Sequence, residues 1–192
     1  AGLGPSLAMV AARVVTVCGT AIFAFLSLRA TGIGFIMITL ALGQILWGLA
    51  YRWISLTNGD NGISVTARPQ PFGIALADPT AFYYATLLVF LLTLAAVAVF
   101  VRSPFGASLR GARDQPRRMT ALGYNVWLTR FLAFLLSGFW SGVAGLLYLY
   151  YNQFVSPEAV ALSSSAEALL MVIAGGTATL FGPIAGAALV VI

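Results

Sequence analysis

Apolar runs of about 20 residues dominate this chain of 192 residues. Among the charged residues, only Arg13 lies well inside such a run, and Arg130 lies at the edge of another. A helix needs about 20 apolar residues to cross roughly 30 Å of hydrocarbon, so each run is long enough to span a membrane. Four such segments lie at about residues 5–28, 31–51, 80–101 and 129–151.

The composition supports a membrane protein and excludes an ordinary soluble domain. Hydrophobic residues make up 60% of the chain and charged residues 8%, whereas soluble domains carry about 25% charged residues. Open sheet edges cannot be satisfied in hydrocarbon, so helices are expected rather than strands. We therefore predict an all-α, polytopic integral membrane helical bundle. The chain begins without Met and stops within an apolar run, and we expect truncation at both ends.

A fifth apolar segment, at about residues 166–192, contains two interruptions. Gly175-Gly176 and Gly182-Pro183 favour a broken helix, which in membrane proteins can line a pathway. Ser164 and Glu167 have the spacing of a capping box, which predicts a helix start at Ser164.

The net charge of +5 arises from one segment. Residues 102–130 hold six arginines and one acidic residue, Asp114, while the remaining charges balance. Basic loops stay on the cytoplasmic side, so we expect this loop inside and residues 52–79 and 152–165 outside. Aromatic residues near the predicted outer ends, such as Trp47, Tyr51 and Phe82, are typical of an interfacial belt. Orientation thus explains the basic pI without nucleic acid.

Within the basic loop, the sequence predicts two short helices. Ser103 and Pro104 form a typical helix start, and Pro116 can begin a second helix with Asp114 or Gln115 as its cap. Gly123 is a typical helix stop. Two interpretations of this loop remain: it rests on anionic lipid headgroups, or it docks a soluble partner.

Small residues four positions apart allow helices to approach closely. They would mediate packing within this chain or contact with a second membrane subunit. The pairs are Gly138 with Gly142, Ser141 with Gly145, and Gly182 with Gly186.

Residue types restrict the chemistry. The chain has no histidine and no lysine, which excludes a histidine-based metal site and a P-loop within it. Its single cysteine, Cys18, cannot form an internal disulfide. We expect no catalytic residues, no metal and no cofactor. All five acids lie in loops or at span edges, which argues against an ion-coupled carrier.

An ordered series of motifs resembles the LivM-type permease subunits of branched-chain amino acid ABC transporters. It begins with Arg29 and Gly32 and continues with the run from Thr39 to Gly43. The basic loop carries further matches, and others follow near the C-terminus. These further motifs are Ser103-Pro104-Phe105-Gly106, Leu109-Arg110, Arg113-Asp114, Ala121-Leu122-Gly123, Val155-Ser156-Pro157, Gly175-Gly176-Thr177 and Gly182-Pro183. The chain departs from the pattern at Gln44, Thr120 and Ala178.

The resemblance implies a single transmembrane permease domain over residues 1–192, in a bacterial inner membrane. It implies that the cytoplasmic loop 102–128 couples to two ATPase subunits, which use ATP. A second permease subunit, a periplasmic or lipid-anchored binding protein and membrane lipid complete the expected partners. The implied coupling residues are Leu109, Arg110, Arg113, Asp114, Ala121, Leu122 and Gly123. Rival interpretations are an ABC permease for a sugar or urea, an ion-coupled carrier and a membrane scaffold.

Overall fold

The computed structural model describes residues 5–64, 79–176 and 181–191, and the account of the fold concerns these residues. Residues 65–78, which belong to the loop 52–79 that the sequence places outside, are not among them, nor are the motif positions Thr177 and Ala178. The helices are α1 (Pro5–Ser27), α2 (Ile33–Arg52), α3 (Ile54–Thr57), α4 (Pro79–Arg102), α5 (Pro104–Asp114), α6 (Pro116–Ala121), α7 (Val126–Asn152), α8 (Leu162–Gly175) and α9 (Gly182–Val191). Two 3-10 turns, Gly59–Asn61 and Pro157–Val160, and two short strands, β1 (Ile63–Ser64) and β2 (Phe154–Val155), complete the described elements.

Four helices, α1, α2, α4 and α7, are long and apolar enough to cross a membrane. They coincide with the four apolar segments of the sequence, and the predicted helical membrane fold is confirmed. Large apolar side chains lie exposed on them, for example Ile33 at 78% and Val99 at 71%. Such surfaces suit lipid rather than water.

Helix α7 begins three residues before the predicted boundary. The Asn125 side chain accepts a hydrogen bond from the Leu128 amide at 3.0 Å and caps the helix. A capping side chain supplies a partner for an otherwise free amide of the first turn. The cap at Asn125 therefore places the start of α7 at Val126, so that Val126, Trp127 and Leu128 belong to the helix.

The chain forms two compact units, of residues 1–38 with 65–153 and of residues 39–64 with 154–192. In the first unit, α1 packs along α7. A methyl group on Gly142 would lie 2.9 Å from the Thr16 side chain, and one on Gly138 would overlap Thr20. Packing within this chain is therefore confirmed for this pair of glycines.

Phe82 departs from the expected aromatic belt. Only 9% of its surface is exposed, and its ring lies 6.3 Å from the ring of Tyr151. Its neighbours Tyr83 and Tyr84 are exposed. Because α4 packs its Phe82 face inward, this residue belongs to the interior of the first unit.

In the second unit, a tight turn leads into a strand pair. Asn58 and Gly59 have φ of 59° and 60°, and asparagine and glycine are the residues that best tolerate this left-handed conformation. The two strands pair antiparallel, with Ile63 opposite Val155. Strands were not expected, but this pair lies outside the four membrane-length helices, where water can satisfy its edges.

Helix α8 starts earlier than the sequence predicted, and the capping-box prediction is wrong. The helix begins at Leu162, and Ala161 occupies the capping position without a side-chain hydrogen bond. Ser164 lies inside the helix, where its hydroxyl donates to the carbonyl of Glu158 at 3.0 Å. The Ser164 hydroxyl therefore bonds to a carbonyl of the preceding 3-10 turn and does not cap a helix.

Helices α8 and α9 pack antiparallel. A methyl on Gly175 would overlap the carbonyl of Gly182, and one on Gly186 would overlap the carbonyl of Met171. With 14 residues, α8 is about 21 Å long, which is less than a bilayer requires. The predicted interruption is present, because α8 ends at Gly175 and Gly176 has a φ of 93°.

Candidate functional site

Helices α5 and α6, here called the basic helix pair, begin as the sequence predicts. The Ser103 hydroxyl accepts a hydrogen bond from the Gly106 amide at 3.3 Å and donates to the carbonyl of Phe100 at 2.6 Å. Pro104 occupies the first helical turn, where its missing amide hydrogen is not needed. The capping residue thus belongs to both the end of α4 and the start of α5.

Gly106 allows α5 to lie directly against the end of α4. It is buried, and a methyl there would lie 2.6 Å from the Phe100 carbonyl oxygen and would overlap that of Val101. Only glycine permits such an approach without moving the backbone. The sequence contained Gly106 within the family motif but gave no sign of this contact.

A second connection joins α5 to α7. The guanidinium of Arg130 donates a hydrogen bond to the carbonyl of Ala112 at 2.8 Å. Ala112 is 1% exposed, and the carbonyl lies in the last turn of α5, where helix carbonyls lack partners. Arg130, one of the six arginines of residues 102–130, therefore links α5 to a membrane-length helix.

The junction between α5 and α6 differs from the prediction in one respect. Gln115 occupies the capping position of α6, but its side chain accepts no hydrogen bond from a backbone amide of that helix. Its Oε1 accepts instead from the Arg118 guanidinium at 3.3 Å, and Asp114 does not cap the helix. The Asp114 carboxylate instead accepts a hydrogen bond from the Arg113 guanidinium at 2.8 Å. This hydrogen bond and the attraction between the charges raise the pKa of Arg113.

Gly123 ends the basic helix pair as predicted. Its φ is 86°, its amide bonds to the Thr120 carbonyl at 3.0 Å, and the Tyr124 amide bonds to Met119 at 3.1 Å. These two bonds form a Schellman motif, which favours glycine at the left-handed position. Ala121 is exposed and Leu122 is 67% exposed, so α6 ends in an apolar, unpacked surface.

Leu109, Arg110 and Arg113 line a cleft of about 930 Å³ within the first unit. Arg130, the connection from α1 to α2 and Phe35 in the first turn of α2 also line it. Leu109 is half-buried, whereas Arg110 and Arg113 are exposed. The structure therefore brings together three of the predicted coupling residues, and it places Ala121 and Leu122 apart from them, at the end of α6.

A second cavity, of about 580 Å³, lies within the second unit and is here called the aromatic cavity. Trp47 and Tyr51 come from α2, and Ser156, Glu158 and Ser163 come from the turn before α8 and its first residues. The sequence suggested only interfacial aromatic residues here. The spacing of Gln44, Trp47 and Tyr51 on one helix face was the signal available, but nothing in the sequence placed Glu158 beside them.

The glycine-rich pathway candidates join two helices rather than line either of these cavities. Gly182 is buried and Pro183 is half-buried, and Gly175 lies against the Gly182 backbone. Within the described ranges, no group of three or more His, Cys, Asp or Glu side chains could hold a metal ion.

Comparison with known proteins identifies related permeases. The sequence model of the family described as "Branched-chain amino acid transport system / permease component" matches residues 1–192. The high-affinity branched-chain amino acid transport system permease protein LivM of Salmonella typhimurium is 28% identical over 214 residues, which cover 100% of this chain and 50% of that protein. LivM of Escherichia coli is 28% identical over 188 residues, covering 86% of this chain and 44% of the relative.

A shorter match links the chain to the guanosine ABC transporter permease protein NupQ of Bacillus subtilis. It is 27% identical over 66 residues, covering 34% of this chain and 21% of that protein. The chain thus spans about half the length of the LivM relatives it matches. No solved structure matches it.

Proposed function

Because the chain belongs to the family of branched-chain amino acid transport system permease components, we propose that it forms part of the membrane pathway of an ABC importer. The proposed substrates are branched-chain or related hydrophobic amino acids. The relatives whose matches cover most or all of this chain carry that substrate in their names, whereas the guanosine permease match covers 34% of it.

The observation that carries the proposal is the double attachment of α5. Gly106 packs α5 closely against the last turn of α4, and the hydrogen bond from Arg130 to Ala112 connects α5 to α7. A force on α5 is therefore passed to two membrane-length helices through short, rigid contacts. This is the arrangement that a coupling element requires, because packed elements move as bodies rather than deform.

In this proposal, two ATPase subunits bind the basic helix pair on the cytoplasmic side and hydrolyse ATP, and this chain needs no cofactor. Its concentration of arginines supports the cytoplasmic side of a bacterial inner membrane. Exposed Arg110 and Arg113 would attract acidic groups of the ATPase, and exposed Ala121 and Leu122 would pack against it. Leu109 would support the cleft wall from within.

The other partners lie beyond this loop. A second permease subunit would complete the pathway, and a periplasmic or lipid-anchored binding protein would deliver the amino acid from outside. The close α8–α9 pair, with Gly175, Gly176, Gly182 and Pro183, would contribute a broken-helix wall to the pathway.

The experiment is ATP-dependent leucine uptake by the full-length permease, reconstituted with its ATPases and binding protein. The double variant Arg110→Glu and Arg113→Glu should insert normally and lose most ATP-driven uptake. The single variant Arg52→Glu is the control, because Arg52 is exposed at the end of α2 and is not part of the basic helix pair. We also measure ATPase co-purification in detergent, where no bilayer competes for the arginines.

Two results would contradict the proposal. One is full leucine uptake by the double variant in vesicles. The other is unchanged ATPase co-purification in detergent, which would favour a loop that only rests on lipid headgroups.

A further inference from the structure

We propose that the aromatic cavity binds a zwitterionic α-amino acid with an apolar side chain. Glu158 would bind the ammonium group, the hydroxyls of Ser156 and Ser163 would bind the carboxylate, and Trp47 would contact the aliphatic side chain. This inference rests on the proposed function, because it assigns a binding site on the permease for that substrate class.

The cavity has the size and wall of a small-molecule site. Its volume of about 580 Å³ lies within the roughly 300–1,000 Å³ of typical ligand pockets. Trp47 and Tyr51 stand one turn apart on α2 with stacked rings, whose centroids are 5.5 Å apart and whose planes differ by 18°. Stacking fixes both rings, so they offer a rigid apolar surface.

Glu158 supplies the charge. Among the described residues that line the cavity, it is the only charged one, and no ion pair or hydrogen bond to the described residues engages its carboxylate. Its backbone is held in place, because its carbonyl accepts from the Ser164 hydroxyl and from the Ala161 amide, each at 3.0 Å. Glu158 is exposed, and an unpaired carboxylate on this held backbone favours a ligand with an ammonium group.

The opposite charge of the ligand also finds partners. The hydroxyls of Ser156 and Ser163 and the amide of Gln44 line the same cavity, and no hydrogen bond among the described residues uses these side chains. Each can donate to a carboxylate. An anionic solute without an amine would meet the repulsion of Glu158, so the lining selects a zwitterion.

The cavity is built from two parts of the sequence that lie more than 100 residues apart. Residues 44–51 form the end of α2, and residues 156–163 form the turn before α8 and the start of that helix. Both parts belong to the same compact unit. The β1–β2 pair brings these parts of the chain together through the register Ile63 to Val155.

The test measures binding of radiolabelled leucine to the purified full-length permease in detergent, without ATPases. Glu158→Gln should weaken binding about tenfold, because it removes a charge-assisted hydrogen bond. Trp47→Ala should weaken it to a similar extent through lost apolar contact. The matched controls are Glu167→Gln and Trp53→Ala, since both residues are exposed and neither lines the cavity.

Two leucine analogues separate the roles of its charged groups. 3-Methylbutylamine lacks the carboxylate and 4-methylpentanoate lacks the ammonium group; each should compete weakly with leucine, and 4-methylpentanoate least. Glu158→Lys should reverse that order, because it replaces the anion with a cation. This gain of preference for the anion cannot arise from a merely misfolded variant.

The outcomes are decisive for the site. Binding that is equal in Glu158→Gln and Glu167→Gln, absent leucine binding, or 4-methylpentanoate competing as well as leucine would overturn the inference. So would variants that alter only the affinity for the binding protein, which would make the cavity a protein contact. Wild-type permease that binds leucine but shows no ATP-driven uptake with its partners would instead contradict the proposed function and leave the site standing.

Discussion

Gly106 lies where the basic helix pair meets the end of α4, and its replacement by alanine tests whether this contact transmits movement. The added methyl would lie 2.6 Å from the carbonyl oxygen of Phe100 and 2.8 Å from the carbonyl carbon of Val101. Both neighbours are backbone atoms, which cannot rotate away as a side chain can. The first turn of α5 must therefore move by roughly 1 Å to restore ordinary contact.

The expected cost follows from two effects. Overpacking of this kind costs about 1–3 kcal/mol, and displacement of the Gly106 amide from the Ser103 hydroxyl weakens a cap worth about 1 kcal/mol. Alanine's higher helix propensity offsets up to about 1 kcal/mol. A net loss of about 1–3 kcal/mol corresponds to a melting temperature lower by roughly 2–12 °C for a chain of this size.

If α5 has the proposed coupling role, the expected functional consequence is uncoupling rather than loss of insertion. A shift near 1.4 kcal/mol lowers the ratio of seated to displaced α5 by about tenfold, so leucine uptake per ATP hydrolysed should fall several-fold while ATP hydrolysis continues. We would measure thermal unfolding in detergent and coupled uptake in proteoliposomes, using the full-length permease with its partners.

Two other glycines provide matched controls. Gly145→Ala adds a methyl with nothing within 4 Å, and Gly111→Ala meets only the flexible side chain of Met119. Both should retain stability and coupling. If Gly106→Ala behaved like Gly145→Ala in both assays, the close α4–α5 contact would have no mechanical role and the reasoning would fail.

Two further predictions concern glycines elsewhere. Gly138→Ala should lower the thermal stability of the permease by about 1–3 kcal/mol, because the methyl overlaps Thr20 of α1. The additional change Thr20→Ala should restore only part of it, since the Cβ of residue 20 would still lie 2.7 Å from the new methyl; a double-mutant cycle without coupling would contradict this packing. Gly123→Val should destabilise the end of α6 by about 1–2 kcal/mol, because the φ of Gly123 is 86°, and it should reduce coupled uptake. Unchanged uptake together with unchanged proteolytic sensitivity of this loop would show that the turn does not need glycine.

Local patterns were sufficient for the elements of the candidate coupling site. Ser103 and Pro104 predicted the start of α5, and Gly123 predicted the end of α6. Both predictions depend only on hydrogen bonds within a few residues of the helix end. The capping box at Ser164 failed for an equally physical reason. The carbonyl of Glu158 accepts a hydrogen bond from the Ser164 hydroxyl. This bond to the turn before α8 replaces the capping bond that the sequence pattern predicted.

The sequence by itself determined the class of this protein, because apolar runs of membrane length with almost no charge leave the backbone no alternative to helices in hydrocarbon. It also determined where the positive charge lies. Only the tertiary structure decided that Arg130 bonds to Ala112, that Gly106 touches the carbonyls of α4, and that Glu158 shares a cavity with Trp47. Hydropathy and capping act over a few residues, whereas these contacts depend on how separate helices approach one another, which short-range patterns do not encode.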